Sequence, residues 1–363
     1  MDQTARAFVE LDLTALRHNV ETLRRLLPPG CALMPAVKAD AYGHGAALIA
    51  PELERLGVRD FCVATVGEGV ALRRAGVRGQ ILVLGYTHPS EFEALVRHEL
   101  TQTALDYDYA ERLSRYGHGI QVHVGVDTGM RRLGERSENI ERIARIFSLP
   151  GLRVTGIFSH LSTADGESPR ERAHSALQLR RFSAVLRELA ARDIRPKAHI
   201  QSSAGILRYP QLRFDYARPG LALYGAVEGE GLLPVLSLKA RVGCVRQLRP
   251  GESVGYGMDY TAHSERWIAT VAIGYADGVP RTLSGRGYLL LRGRRVPILG
   301  RICMDQLTVD VTGCDVHPGE EAVLIGCSGR ERITASELAT LAGTIPNEIL
   351  SGLSPRLGRI CLR

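Results

Sequence analysis

Lysine is nearly absent from this 363-residue chain: among 46 basic residues only Lys38, Lys197 and Lys239 are lysine. Arginine stays protonated and cannot condense with a carbonyl, whereas a lysine amine can once its charge is suppressed. A lysine kept where arginine fills almost every other basic role is a candidate for covalent chemistry. Other scarcities exclude whole classes. The seven cysteines form no C-x-x-C pair and stand at no zinc-finger spacing from a histidine. That pattern argues against a disulfide framework or a metal site, and for reduced thiols in the cytoplasm. No run approaches the roughly 18 apolar residues of a membrane span, and residues 1–13 lack a basic region followed by a long apolar stretch, so neither a span nor a signal peptide is expected. No Lys/Arg cluster alternates with aromatics, which make up only 6% of the chain. The net charge of +7 therefore reads as an arginine-rich solvated surface, not a nucleic-acid site.

What is present points to an α/β enzyme of two domains. Short β-like runs alternate with helical segments through the first two thirds: Ala7–Leu13, Cys31–Lys38, Asp60–Val66, Ile81–Gly85, Thr101–Asp106, Gln121–Asp127, Leu152–His160 and Ala198–Ser203 read as strands. Helical spacing lies between most of them, longest near Pro169–Arg192. About eight such repeats predict a (β/α)8 TIM barrel over residues 1–232. Beyond Leu232 the runs become short, β-branched and punctuated by glycine, which predicts a mostly β C-terminal domain over 233–363. In a barrel the reactive face lies at the C-terminal ends of the strands. Lys38, Asp127, Arg132, His160, Ser202, Ser203 and Arg218 all fall at or just after such ends.

Several segments carry a resemblance. The lysine lies in Val37-Lys38-Ala39-Asp40-Ala41-Tyr42-Gly43-His44-Gly45. Others are Val126-Asp127-Thr128-Gly129-Met130-Arg131-Arg132-Leu133-Gly134, Arg218-Pro219-Gly220-Leu221-Ala222-Leu223-Tyr224-Gly225, Gly255-Tyr256-Gly257, Ile273-Gly274-Tyr275-Ala276-Asp277-Gly278 and Gly300-Arg301-Ile302-Cys303-Met304-Asp305-Gln306. In this order they resemble the alanine racemases, which use pyridoxal phosphate. The resemblance implies that Lys38 binds the cofactor covalently and serves as the base on the D face of the substrate. It implies that Tyr256, supplied by the partner subunit of a head-to-tail homodimer, is the base on the L face, aided by His160 and Arg218. Arg218 would face the pyridine nitrogen. Tyr42, Ser203, Gly220 and Leu221 would cradle the phosphate. Arg132 and the Met304 backbone would hold the substrate carboxylate, and Asp165, Tyr275, Arg281 and Arg301 would line the access channel. The implied role is D-alanine supply for peptidoglycan.

Three departures from the family pattern stand out. Gly125 occupies the place of a lysine that is carbamylated in many members, so an anion or water is expected beside Arg132. Gln201-Ser202-Ser203 replaces a strand end that is usually Asn-Ser. Pro355 precedes Arg356 where many members place a tyrosine. Together with Phe158-Ser159-His160-Leu161 these resemble the serine/alanine racemase branch, which leaves serine as an alternative substrate. A non-catalytic cofactor-binding protein of the same barrel would be expected to end after the barrel. A barrel-type decarboxylase would be expected to carry a Cys-Glu-Asp cluster, where this chain has Cys303-Met304-Asp305.

Overall fold

A computed structural model describes residues 5–227 and 231–362; residues 1–4 of the segment read above for a leader lie outside it. The chain divides into two compact units. One holds Asn19–Ala41 and Ala46–Leu223, the other the residues up to His18, Tyr42–Gly45 and the chain from Tyr224 onward.

The first unit is the barrel. Its eight parallel strands are Ala32–Leu33, Asp60–Val63, Gln80–Val83, Thr101–Ala104, Ile120–Asp127, Leu152–Phe158, Lys197–Ser202 and Tyr216–Arg218. The sheet runs in that order from Asp60–Val63 to Tyr216–Arg218, which pairs in turn with Ala32–Leu33. A parallel bridge between Ala36 and Cys62 joins its two edges: Val37 N donates to Cys62 O at 2.9 Å and Cys62 N to Pro35 O at 2.8 Å. Runs such as Phe61-Cys62-Val63 and Ile81-Leu82-Val83 are buried throughout, as parallel strands covered by crossover helices require. Val124, Val126, Ile157 and Ile200 pack outward against Ile143, Phe182, Val185 and Leu189 of the helical layer, and each fully buried side chain of this size is worth about 1.5–3 kcal/mol. The longest helix, Pro169–Ala190, begins with a capping box in which Ser168 and Glu171 satisfy each other's backbone amides.

Two expectations are corrected here. Ala7–Leu13 was expected to open the barrel; instead Ala7–Asp12 joins the sheet of the other unit, antiparallel to Leu236–Leu248 and parallel to Gly358–Leu362. A boundary drawn after residue 232 therefore misplaces this strand. Alternation of apolar residues shows that a strand is half-buried, not which sheet supplies its partner. The missing barrel strand is Tyr216–Arg218, only three residues long and ended by Pro219. The helix after the first strand, Leu13–Leu26, is started by Asp12, whose carboxylate accepts from Ala15 N at 2.8 Å.

The second unit is mostly β, as expected. Its nine-stranded sheet runs Glu331–Ile333, Glu321–Ser328, Tyr288–Leu291, Arg294–Leu299, Leu307–Asp310, Arg266–Val271, Leu236–Leu248, Ala7–Asp12 and Gly358–Leu362. Glu321–Ser328 also pairs with Leu236–Leu248, so the sheet curls back on itself.

Candidate active site

Lys38 emerges half-buried at the C-terminal rim of the barrel, and the backbone after it is unusual. Ala39, Asp40, Ala41 and Tyr42 all have φ between 50° and 55°, a full turn of left-handed helix. L-residues avoid this conformation at a cost of about 1–2 kcal/mol each, so neighbouring groups must hold it. Ala39 N donates to Glu68 Oε1 at 2.7 Å, and Ala46 N donates to Asp40 Oδ1 at 2.7 Å. Ala41 N reaches back to Val37 O at 3.0 Å. Glu68 is itself fixed, since its other oxygen accepts from Ala64 N at 2.6 Å and Thr65 N at 3.2 Å. The tight turn reverses the chain as soon as Lys38 has left its strand.

Arg218 ends the eighth strand with its guanidinium buried. Nη2 donates to Ser159 O at 2.8 Å and lies 3.2 Å from His160 Nδ1. Nη1 meets His199 Nδ1, and the plane lies over the Phe158 ring at 5.1 Å. Among the described residues no carboxylate pairs with it and its Nε–H meets no acceptor. Burial, with some repulsion from Arg132, pulls Arg218 down to about 10. His160 is pulled down to about 3, first by burial and then by the positive charges of Arg218, Arg132 and Lys38. These four side chains therefore share one electrostatic environment at the rim. Behind them, His199 Nε2 contacts His123 Nδ1 at 2.9 Å. Neither His123 nor His199 was singled out from sequence. Their only signal was the inward alternation of His123, Gly125 and Asp127 along one strand and of His199 and Gln201 along another.

Beside Arg218, Gly220 N and Ala222 N donate to Ser203 Oγ at 2.9 and 3.0 Å. Both amides are thus engaged by Ser203, whose hydroxyl accepts from the two and keeps its own proton to donate. Arg132 is exposed on a loop that Asp127 organises: its carboxylate accepts from Gly129 N at 2.8 Å, Arg131 N at 3.0 Å and Arg131 Nη1 at 3.1 Å. Burial pushes the Asp127 carboxyl up, but these bonds outweigh it and hold it below the ordinary carboxylate range. At Gly125 an added Cβ would lie 3.3 Å from Ala104 O and 3.4 Å from both Gly134 Cα and the Thr103 methyl, so the place of the family's lysine is hemmed in. Asp165 is exposed in the 161–168 loop.

The remaining predicted residues lie in the second unit. Tyr256 begins a short 3₁₀ turn, Tyr256–Met258, and is 68% exposed. Arg301 pairs with Asp259, three residues beyond it, and Gly257 leaves room for that guanidinium. Met304 O accepts from Ala276 N at 2.9 Å and Cys303 O from Tyr275 N at 3.0 Å, which joins the Met304 and Tyr275 loops. A residue with greater reach than expected is Asp277. Fully buried, it receives Arg6 at 2.7 Å and Arg356 at 3.0 Å, and Arg356 continues to Asp305 at 2.5 Å. Arg281 stands in the turn Arg281–Leu283. Tyr42 packs its ring 5.5 Å from that of Tyr224.

Comparison with known proteins fits this arrangement. Residues 11–228 match the alanine racemase N-terminal domain and residues 235–361 the alanine racemase C-terminal domain. The chain is 42% identical to an alanine racemase of Carboxydothermus hydrogenoformans, over 97% of this chain and 98% of the relative. It is 40% identical to the serine/alanine racemase of Enterococcus gallinarum over 97% of this chain. It spans about half the length of that relative, 51%, and similarly 52% of an Enterococcus faecalis amino-acid racemase. The alanine racemase of Bacillus anthracis, solved with bound L-Ala-P, superposes with a TM-score of 0.93 at 32% identity, covering 100% of this chain and 96% of that one.

Proposed function

The chain belongs to the alanine racemase family, and on that premise we propose that it interconverts L- and D-alanine with pyridoxal phosphate as cofactor. The observation that carries this reading is the buried Arg218 guanidinium. It is held only by neutral acceptors, keeps an unused Nε–H, and shares its rim with Lys38. A donor that carries a charge but resists giving up its proton suits the lone pair of a pyridine nitrogen. The Ser203 hydroxyl, which accepts from Gly220 N and Ala222 N and keeps its own proton to donate, suits a phosphate.

When bound, the cofactor supplies an electron-withdrawing ring that acidifies the substrate Cα–H. Racemisation then needs one base on each face of that carbon. The Lys38 amine removes or returns the proton on the D face. The Tyr256 phenol does so on the L face, donated by the second subunit of a head-to-tail homodimer; its exposure on a single chain supports that role. A free phenol titrates near ~10 and is a weak base at neutral pH, so His160, kept neutral, serves as its hydrogen-bonding partner. Arg132 forks onto the substrate carboxylate, with the Met304 backbone beside it, and Asp165, Tyr275, Arg281 and Arg301 line the approach. The β unit thus completes the partner's site. The product supplies peptidoglycan synthesis in the cytoplasm.

Serine is a second reading, favoured by Pro355, which lacks the phenol many members place there, and by the similarity to a serine/alanine racemase. Purified protein is assayed with L-alanine and L-serine in parallel, following D product. Faster D-alanine supports the main reading, and faster D-serine the second. Neither product from cofactor-loaded protein sinks both.

A further inference from the structure

The rim arginine is the visible end of a hydrogen-bonded line that runs down into the barrel. Arg218 Nη1 meets His199 Nδ1, and His199 Nε2 lies 2.9 Å from His123 Nδ1. Gln80 Nε2 is then placed 3.3 Å from His123 Nε2 and donates to Thr101 Oγ1 at 3.1 Å; an amide turned end for end puts its oxygen in the same place. Every member but Gln80 is buried.

A neutral imidazole has one donor and one acceptor nitrogen, so two protonation patterns can be written for such a line. The Arg218 end decides between them, because guanidinium nitrogens can only donate. His199 Nδ1 must accept, so its proton sits on Nε2 and is given to His123 Nδ1. His123 therefore carries its own proton on Nε2 and can give it to Gln80 only with the amide turned end for end, its oxygen in the place that Nε2 holds in this structure. In that turned amide the Thr101 hydroxyl donates to the same oxygen, the reverse of the bond in this structure, where Gln80 Nε2 donates to Thr101 Oγ1. The opposite pattern would set two N–H groups against each other at Arg218. An imidazolium at either histidine would add a second buried charge to that of Arg218. Burial and the Arg218 charge hold both rings neutral, His123 at about 3 and His199 well below its ordinary value.

We propose that His123, backed by Gln80, is a positioning residue for Arg218: it fixes the Nε2–H tautomer of His199 and so keeps the His199 acceptor aimed at the guanidinium. The inference rests on the racemase reading for its consequence, since Arg218 is the group facing the cofactor ring. Without His123, the Nε2–H of His199 loses its buried acceptor. The ring can then move its proton to Nδ1 and repel Arg218.

The first test needs no turnover. Holoenzyme labelled with 15N-histidine is measured from pH 6 to 9. His123 and His199 are expected as neutral Nε2–H tautomers throughout; an Nδ1–H tautomer or an imidazolium at His199 overturns the proposal. The second test compares His123→Leu with His123→Asn, whose amide oxygen can stand in for Nδ1. His123→Leu is expected to lower kcat about tenfold with KM for alanine within about twofold, and His123→Asn to recover to within about threefold of the parent. Equal kcat in the two variants overturns it. If His123→Leu does not fold, Gln80→Leu is expected to reduce kcat in the same sense, and an unchanged kcat there counts against the line. Failure of the racemase reading would show separately, as absence of racemisation by the unmodified protein with its tautomers intact.

Discussion

At the scale of single residues, the chemistry assigned to Lys38 and Tyr256 separates cleanly by face. On the proposed two-base assignment each base handles one face of the substrate carbon, so Tyr256→Phe would leave Lys38 able to remove and return the proton of D-alanine but unable to complete inversion. The expected result in deuterated water is continued α-proton exchange of D-alanine, with racemisation reduced by about 10²–10⁴, the usual worth of a positioned acid–base group. Exchange and inversion falling together, followed by NMR and chiral chromatography, would contradict the two-base assignment. Residues of this kind were legible because their motifs are contiguous: Lys38 and Tyr42 share one segment, and Arg218, Gly220 and Leu221 another. His199 and His123 were not legible. They lie 76 positions apart, and in strands buried on both faces apolar patterning does not distinguish inward from outward. Asp277 was visible as part of a motif, but its partners Arg6 and Arg356 come from opposite ends of the chain.

At the scale of elements, the left-handed turn after Lys38 depends on a side chain outside the lysine segment. Glu68 uses one oxygen for Ala39 N and the other for Ala64 N and Thr65 N. In Glu68→Gln one of these oxygens becomes an NH₂ group facing backbone donors. Charge-assisted hydrogen bonds are worth about 1.5–3 kcal/mol, so a loss of about that size is expected in urea unfolding. Cofactor affinity should weaken as well, because the turn sets the direction in which Lys38 leaves its strand. Unchanged stability and affinity would mean that the turn is held by Asp40 and its own hydrogen bonds. No sequence signal announced this turn, since Ala39, Ala41 and Tyr42 are poor candidates for positive φ and Asp40 alone is not. Glycine marks the exit at Gly43 and Gly45, and only that part was readable. The eighth barrel strand was hidden for a different reason: three residues are too few to show a period.

At the scale of the whole molecule, the barrel holds His123, His160 and His199 neutral well below the ordinary histidine range. In the unfolded chain these rings take up protons near pH ~6.5. Between there and about 3 the unfolded state binds more protons than the native one, so stability falls as the pH falls. The slope is about 1.4 kcal/mol per pH unit for each histidine. Urea midpoints at fixed protein concentration should drop steeply from pH 6.5 to 5, where carboxylates stay ionised in both states, and His160→Asn should flatten the slope by about one third. Assembly makes the second global prediction. If Lys38 comes from one subunit and Tyr256 from the other, a Lys38→Ala chain and a Tyr256→Phe chain are each nearly inactive alone. A mixed dimer, however, contains one site with both bases and one with neither. Random exchange at equal concentrations yields half mixed dimers, so about one quarter of parental activity should return. A site built within one chain would give no recovery at any mixing ratio. Recovery that rises and falls with the fraction of mixed dimer would place the two bases on different chains.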